Sequence, residues 1–249
     1  MILKIYRPRP AIEDKNFWSE WHRWLIARNL TGLTELLLMV LERIKLWFRF
    51  LEPSKTDQIM QEQKSKADLK EAVINVALSS LVPAVGALLL FAIIGLFFGS
   101  IANSLFGSIS SEMGGVLGGA LGLGLIVFGI IYAVMIIVLE PIVLLVGQGI
   151  SFLIAKLLGG KGKYTEQVYF SSFVTSAWNI VFPLLVIPCL GSILSIIIAV
   201  YSIYLNYKII KTVHQLDRLR AAAVVLIPIA VVLAIYAFLF IASMASYSY

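Results

Sequence analysis

The chain has 249 residues, of which 60% are hydrophobic and 14% are charged, and its formal net charge is +6. Soluble globular domains carry roughly 25% charged residues, so this composition excludes an ordinary soluble domain and indicates a protein that crosses the membrane several times. We expect the positive charge to serve topology and attraction to anionic lipid headgroups, and we expect no binding of nucleic acid.

Chemistry-bearing residues are sparse. Cys189 is the single cysteine, and His22 and His214 are the two histidines. One cysteine excludes an intrachain disulfide and a thiolate metal cluster, and histidines so far apart in sequence give no metal-ligand spacing. No Ser/His or Cys/His pair lies at a spacing suited to nucleophilic catalysis. We therefore expect no cofactor, no metal and no enzymatic activity.

Residues 1–70 are predicted to form a cytoplasmic segment with interfacial helices. An extended arm, Met1–Pro10, precedes two predicted helices, Asn16–Leu30 and Thr34–Leu51, and a polar lead-in, Ser54–Lys70. The helices combine an apolar face, Trp anchors and basic flanks, which favour a position in the membrane interface. The alternative is a small cytoplasmic helical hairpin that packs on itself.

Residues 71–249 are predicted to form an all-α membrane domain with five spanning helices, because several apolar stretches reach the ~20 residues that a span needs. A Ser/Asn/Gly-rich outer loop is predicted at 100–113, and the glycine-rich stretch Gly114–Gly124 is predicted to begin the second span. The predicted spans are about Glu71–Gly99, 122–158, Tyr164–Ile187, Ser192–Lys211 and Ala221–Ala245.

The apolar stretch Val116–Leu158 is ambiguous, since its 43 residues could also form two spans hinged at Pro141. Two spans would place the basic residues 156–163 on the outer side. With five spans, all 20 Lys and Arg residues fall on one side, as expected for cytoplasmic loops. The charge pattern favours one long, tilted helix kinked at Pro141, with the N-terminus inside and the C-terminus outside.

An ordered set of motifs resembles the Yip1 domain family over about residues 67–245. It comprises Asp68–Ala72, the inner loop Gly159–Tyr164 (GGKGKY), a span broken by Pro183 and Pro188, and Tyr201–Tyr207 (YSIYLNY). The resemblance implies five spans and a cytoplasmic N-terminus. Eukaryotic members of this family work in vesicle trafficking and bind Rab-type GTPases, whereas many archaeal and bacterial members have no assigned activity.

A candidate intramembrane polar site comprises Glu140, Thr175, Ser176 and Asn179. Ionisable groups inside a span mark functional sites by default. By the helical rise, Glu140 lies ~27 Å and Asn179 ~22 Å from the inner end, so we expect an uncharged Glu140 to meet the polar face of the third span. A structural role, capping carbonyls freed by Pro141, and a role in proton or cation transfer both remain open.

The inner loop contributes two further candidates, Lys161 and Lys163, which are predicted to contact lipid phosphates. The loop lacks the Walker A arrangement, and its glycines are expected to end the preceding helix. Separately, the pairs Gly95/Gly99 and Gly118/Gly122 have the spacing of close helix packing.

The sequence thus predicts a non-enzymatic multi-pass membrane protein, in the cell membrane for a prokaryotic chain, that acts as a membrane-organising or partner-binding scaffold. Its expected partners are the lipid bilayer and either another protein or a second copy. The alternatives are a transporter or channel component that uses Glu140, and an accessory subunit of a larger membrane complex.

Overall fold

The computed structural model describes residues 17–187 and 189–246, with side chains for 34–187 and 189–244. Within those ranges the chain is helical, with no strand. The predicted arm Met1–Pro10 lies outside them. One short 3₁₀ turn, Lys64–Lys66, lies between α2 and α3, and another, Phe182–Val186, lies between α6 and α7. The helices of the described chain are α1 Phe17–Leu51, α2 Thr56–Gln63, α3 Leu69–Ser79, α4 Leu81–Gly107, α5 Ser111–Leu157, α6 Tyr164–Val181, α7 Leu190–His214 and α8 Arg218–Ser246.

Five helical stretches of the described chain are long and apolar enough to cross a membrane. The predicted all-α architecture with five spans is confirmed. The second stretch is a single helix, Ser111–Leu157, that continues through Pro141. Neighbouring groups can satisfy the backbone that a proline frees inside a membrane helix. The six-span alternative, which needs a reversal at Pro141, is therefore wrong.

The predicted outer loop at 100–113 is also wrong, because only Ser108–Ser110 separate α4 from α5. The glycine-rich stretch 114–124 is fully helical. Glycine lowers helix propensity by only ~1 kcal/mol, and packing against a neighbouring membrane helix outweighs this cost. Ser110 caps the start of α5, since its hydroxyl accepts a hydrogen bond from the Met113 backbone N–H at 3.4 Å.

The chain divides into two units, Met1–Lys45 and Leu46–Tyr249. One continuous helix, α1, replaces the two predicted helices, so the self-packing hairpin is wrong. Gly32 does not end the helix, because one glycine lowers helix propensity by only ~1 kcal/mol. The side chains of residues 17–33, including the predicted Trp anchors, are not described, and interfacial binding of this segment stays a prediction.

Within the second unit, the last turn of α1 packs on α6. Trp47 and Phe50 are almost fully buried. The Phe50 ring lies 6.1 Å from that of Phe170 and 5.3 Å from that of Phe173. An ion pair from Lys208 to Asp57, at 3.1 Å, adds a contact between α7 and α2. These contacts fix the segment after Leu46 to α6 and α7.

α4 and α5 form a close hairpin through facing glycines. A Cβ atom on Gly99 would lie 2.7 Å from the carbonyl oxygen of Gly118, and one on Gly118 would lie 2.5 Å from that of Gly99. A Cβ on Gly95 would likewise lie 2.7 Å from the carbonyl oxygen of Gly122. The predicted glycine packing is confirmed, and it joins two consecutive helices backbone to backbone.

Candidate functional site

Glu140 lines a lateral pocket of about 570 Å³ between α4, α5 and the end of α6. Proline and aliphatic or aromatic side chains form most of its wall, and the polar residues that line it are Glu140, Asn179 and the phenolic Tyr132. Pro83 contributes from α4 and Phe182 from the turn after α6. The pocket is therefore an apolar cleft with a carboxyl and an amide on its wall.

Asn179 connects the pocket to the interface between α3 and α6. Its side chain lines the pocket beside Glu140, and its amide donates to the Ser79 hydroxyl at 3.1 Å. One turn away on α3 and two turns away on α6, Asn75 donates to the Ser172 hydroxyl at 3.3 Å. The Oε2 atom of Glu140 is buried and has no hydrogen-bond partner in the described part of the chain.

The structure therefore brings together two of the four predicted site residues, Glu140 and Asn179. Ser176 is fully buried in α6, and its hydroxyl has no hydrogen-bond partner among the described residues. Thr175 is half-buried. Neither lines the pocket. Residues that share one face of a helix need not line the same cavity. Different neighbouring helices pack against that face at different positions along its axis.

A second polar network, which the sequence reasoning missed, lies between α5, α6 and α7. Gln167 donates to the side chain of Gln148 at 2.8 Å and to its backbone carbonyl at 3.0 Å. The His214 Nε2–H donates to Gln167 Oε1 at 2.8 Å. Gln148 also reaches Asn206 at 3.4 Å. This network connects α5, α6 and α7. Glutamine and histidine are rare in apolar helices, and their presence there was the sequence feature that could have indicated the network.

The loop between α5 and α6, residues 158–163, packs against the end of α7. Gly159 has a positive φ of 89°, a conformation that glycine adopts without a steric cost. The Lys161 N–H donates to the His214 carbonyl at 3.1 Å. A Cβ on Gly160 would lie 2.7 Å from His214 Nδ1. Lys161 and Lys163 are exposed, and their contact with lipid phosphates stays a prediction.

Among the residues that the structure describes, no group of three or more His, Cys, Asp or Glu side chains could hold a metal ion. Five apolar helices with polar contacts inside the bundle define a multi-pass α-helical integral membrane protein. The Yip1 domain matches residues 59–241, most of the chain. The protein therefore belongs to the Yip1 domain family, as its motifs had indicated. No curated protein and no solved structure matches it.

Proposed function

We propose that this protein is a non-enzymatic, membrane-organising scaffold whose α4–α5 hairpin acts on the surrounding bilayer. The observation that carries the proposal is how far the hairpin extends beyond the end of α6. α6 ends at Val181, and Phe182 of the turn that follows lines the same pocket as Pro83, near the start of α4. From Pro83 to Gly107 the hairpin continues for ~36 Å by the helical rise, which exceeds the ~30 Å hydrocarbon core of a bilayer.

The surface of this outer part is apolar on both helices. Side chains directed away from the helix contact are largely exposed, among them Leu96 at 68%, Val116 at 70% and Leu123 at 65%. Glu112 is the one charged residue between Leu81 and Leu139. Exposing this much apolar area to water is unfavourable at roughly 25 cal/mol per Å². The hairpin is therefore held in hydrocarbon, where its excess length must tilt it or alter the local bilayer.

The glycine contacts make the hairpin a stiff unit. Two separate helices can each tilt to match the bilayer at a modest cost. Helices in backbone contact over several turns, as at Gly95, Gly99, Gly118 and Gly122, must tilt together. The bilayer adapts to the mismatch that this joint tilt does not remove, and this adaptation is the proposed organising action.

The proposal is tested by reconstituting the full-length protein into vesicles and imaging local bilayer thickness and curvature by electron cryomicroscopy. The wild-type protein is expected to thin, thicken or bend the bilayer around it. Gly118→Leu, which separates the two helices, should weaken this effect, whereas Gly119→Leu should retain it because no atom lies within 4 Å of a Cβ at that position. An undisturbed bilayer around the wild-type protein would refute the proposal.

The proposal includes the orientation and the lipid contacts inferred from charge. The N-terminus lies in the cytoplasm and the C-terminus outside. Lys161 and Lys163, both exposed, contact lipid phosphates, and residues 17–51 bind the anionic membrane surface. A peptide of residues 17–51 should partition onto anionic vesicles at low salt, and absence of partition would remove this element alone.

A transporter or channel component is the second candidate, because the pocket holds Glu140 beside Asn179. Glu140→Gln keeps most of the hydrogen bonding and removes the titratable proton. In reconstituted vesicles loaded with a pH-sensitive dye, a proton or cation flux that is present in the wild type and absent in Glu140→Gln would favour this candidate. A role as an accessory subunit predicts instead a stable partner after purification in mild detergent.

A further inference from the structure

The pocket beside Glu140 has the size of a ligand site and opens sideways. Its volume of about 570 Å³ falls within the roughly 300–1,000 Å³ range of small-molecule sites. Wall residues that are also exposed mark the opening, such as Ile131 at 56% and Val143 at 67%. Since these residues lie on a membrane helix, the opening faces lipid, and a ligand would enter from the bilayer.

One polar atom of a pocket residue has no hydrogen-bond partner among the described residues. The Oε2 atom of Glu140 is buried without a hydrogen bond from the described residues, although the Asn179 side chain lines the same pocket. Buried polar atoms in native structures are nearly always paired. The backbone carbonyls freed by Pro141 accept hydrogen bonds, so one of them could bond Oε2 only if Oε2 carried a proton. No hydrogen bond to Oε2 is present among the described residues.

We propose that this pocket binds a membrane amphiphile with an uncharged hydroxyl headgroup, of the long-chain alcohol or diacylglycerol class. The hydroxyl pairs with the Glu140 carboxyl, which rotates to bring Oε2 to the pocket, and the chain lies along the apolar wall formed by α5. This site is independent of the proposed action of the hairpin on the bilayer, so each can fail without the other.

The chemistry of the headgroup follows from the surroundings of the carboxyl. A hydroxyl both donates and accepts, so it pairs with Glu140 whether or not the carboxyl carries a proton. An ammonium headgroup would require a charged pair in a low-dielectric site, where desolvation opposes it. A phosphate headgroup would bring a second anion-forming group against the carboxyl, with Asn179 and Tyr132 as the only other polar side chains on the described wall.

The test uses tritiated 1-hexadecanol and the purified full-length protein in detergent micelles. The alcohol is expected to bind saturably and to be displaced by unlabelled 1-hexadecanol at lower concentration than by hexadecane, hexadecylamine or hexadecyl phosphate. Equal displacement by hexadecane would overturn the role of the hydroxyl. Stronger displacement by the amine or the phosphate would overturn the uncharged headgroup.

Four variants locate the site. Glu140→Leu should weaken binding about tenfold and Glu140→Gln by less than about threefold, as expected for loss or retention of a buried hydrogen bond. Ile136→Trp fills the pocket and should abolish binding, whereas Ile142→Trp should leave it unchanged, because Ile142 is exposed and does not line the pocket. The tryptophan pair keeps the test decisive if Glu140→Leu does not fold. Wild-type affinity in Ile136→Trp would overturn the proposal.

Discussion

Two adjacent glycines of α5 provide a matched test of the hairpin. An added Cβ at Gly118 would lie 2.5 Å from the carbonyl oxygen of Gly99, whereas one at Gly119 would meet nothing within 4 Å. Both residues lie in the same helix, one position apart. Gly118→Ala and Gly119→Ala therefore share the helix-propensity gain and differ in the steric contact.

The expected difference follows from two opposing contributions. Alanine in place of a helical glycine gains roughly 0.5–1 kcal/mol, and Gly119→Ala should show this gain alone. At Gly118 the helices must separate to relieve the clash with backbone, and such overpacking costs typically 1–3 kcal/mol. The free energy of unfolding of Gly118→Ala should thus lie about 1–3 kcal/mol below that of Gly119→Ala.

The free energies are measured by reversible denaturation of the full-length protein in mixed micelles, with helix content followed by circular dichroism. A distance measurement between spin labels on the outer faces of α4 and α5 adds a structural readout, and it should show a wider separation in Gly118→Ala than in Gly119→Ala. Equal stabilities and equal separations in the two variants would refute the backbone contact between these helices.

Three further predictions concern the Gln167 network, the packing of Phe50 and the topology. Gln167→Leu removes the hydrogen bonds to Gln148 on α5 and to His214 on α7. It should lower the free energy of unfolding by ~1–3 kcal/mol for each buried group left unpaired, as measured by the same denaturation. Phe50→Ala should lower it by ~3–5 kcal/mol, and Phe48→Ala, at a position that is 37% exposed, by clearly less; similar losses would contradict the docking of α1 on α6. A reporter inserted at Gly162 should be active inside and one fused after Tyr249 active outside, and the opposite result at either position would contradict the orientation.

The spans were predictable from the sequence because hydropathy and charge act locally. The basic residues at 156–163 and 208–220 favoured one helix through Pro141 over two, and the structure has a single helix there. The glycine spacings identified close packing for the same reason, since residues four apart lie on one face of a helix. The loop at 100–113 was mistaken because Ser, Asn and Gly suggest a turn in water and are tolerated in a packed membrane helix.

The contacts between distant segments were not predictable. Gln148, Gln167 and His214 lie 19 and 47 residues apart in sequence, and no periodicity relates them. The packing of Phe50 against α6 was also not predictable. An apolar helix face shows the same residue periodicity whether it packs on protein or enters lipid. The meeting of Glu140 with Asn179 was expected from helix depth alone, which fixes height along the bilayer normal and leaves the neighbouring helix undetermined.

The most direct test of the scaffold proposal is the depth of the α4–α5 hairpin in a bilayer. Single spin-labelled cysteines at Leu96, Val116 and Leu123, in a Cys189→Ser background, are compared for collision with oxygen, which enters hydrocarbon, and with a polar nickel chelate, which stays in water. A label at the exposed Lys161 serves as the water-accessible reference. All three hairpin labels should favour oxygen and be protected from the chelate. Chelate accessibility at Val116 and Leu123 equal to that at Lys161 would place the hairpin in water and contradict the proposed function.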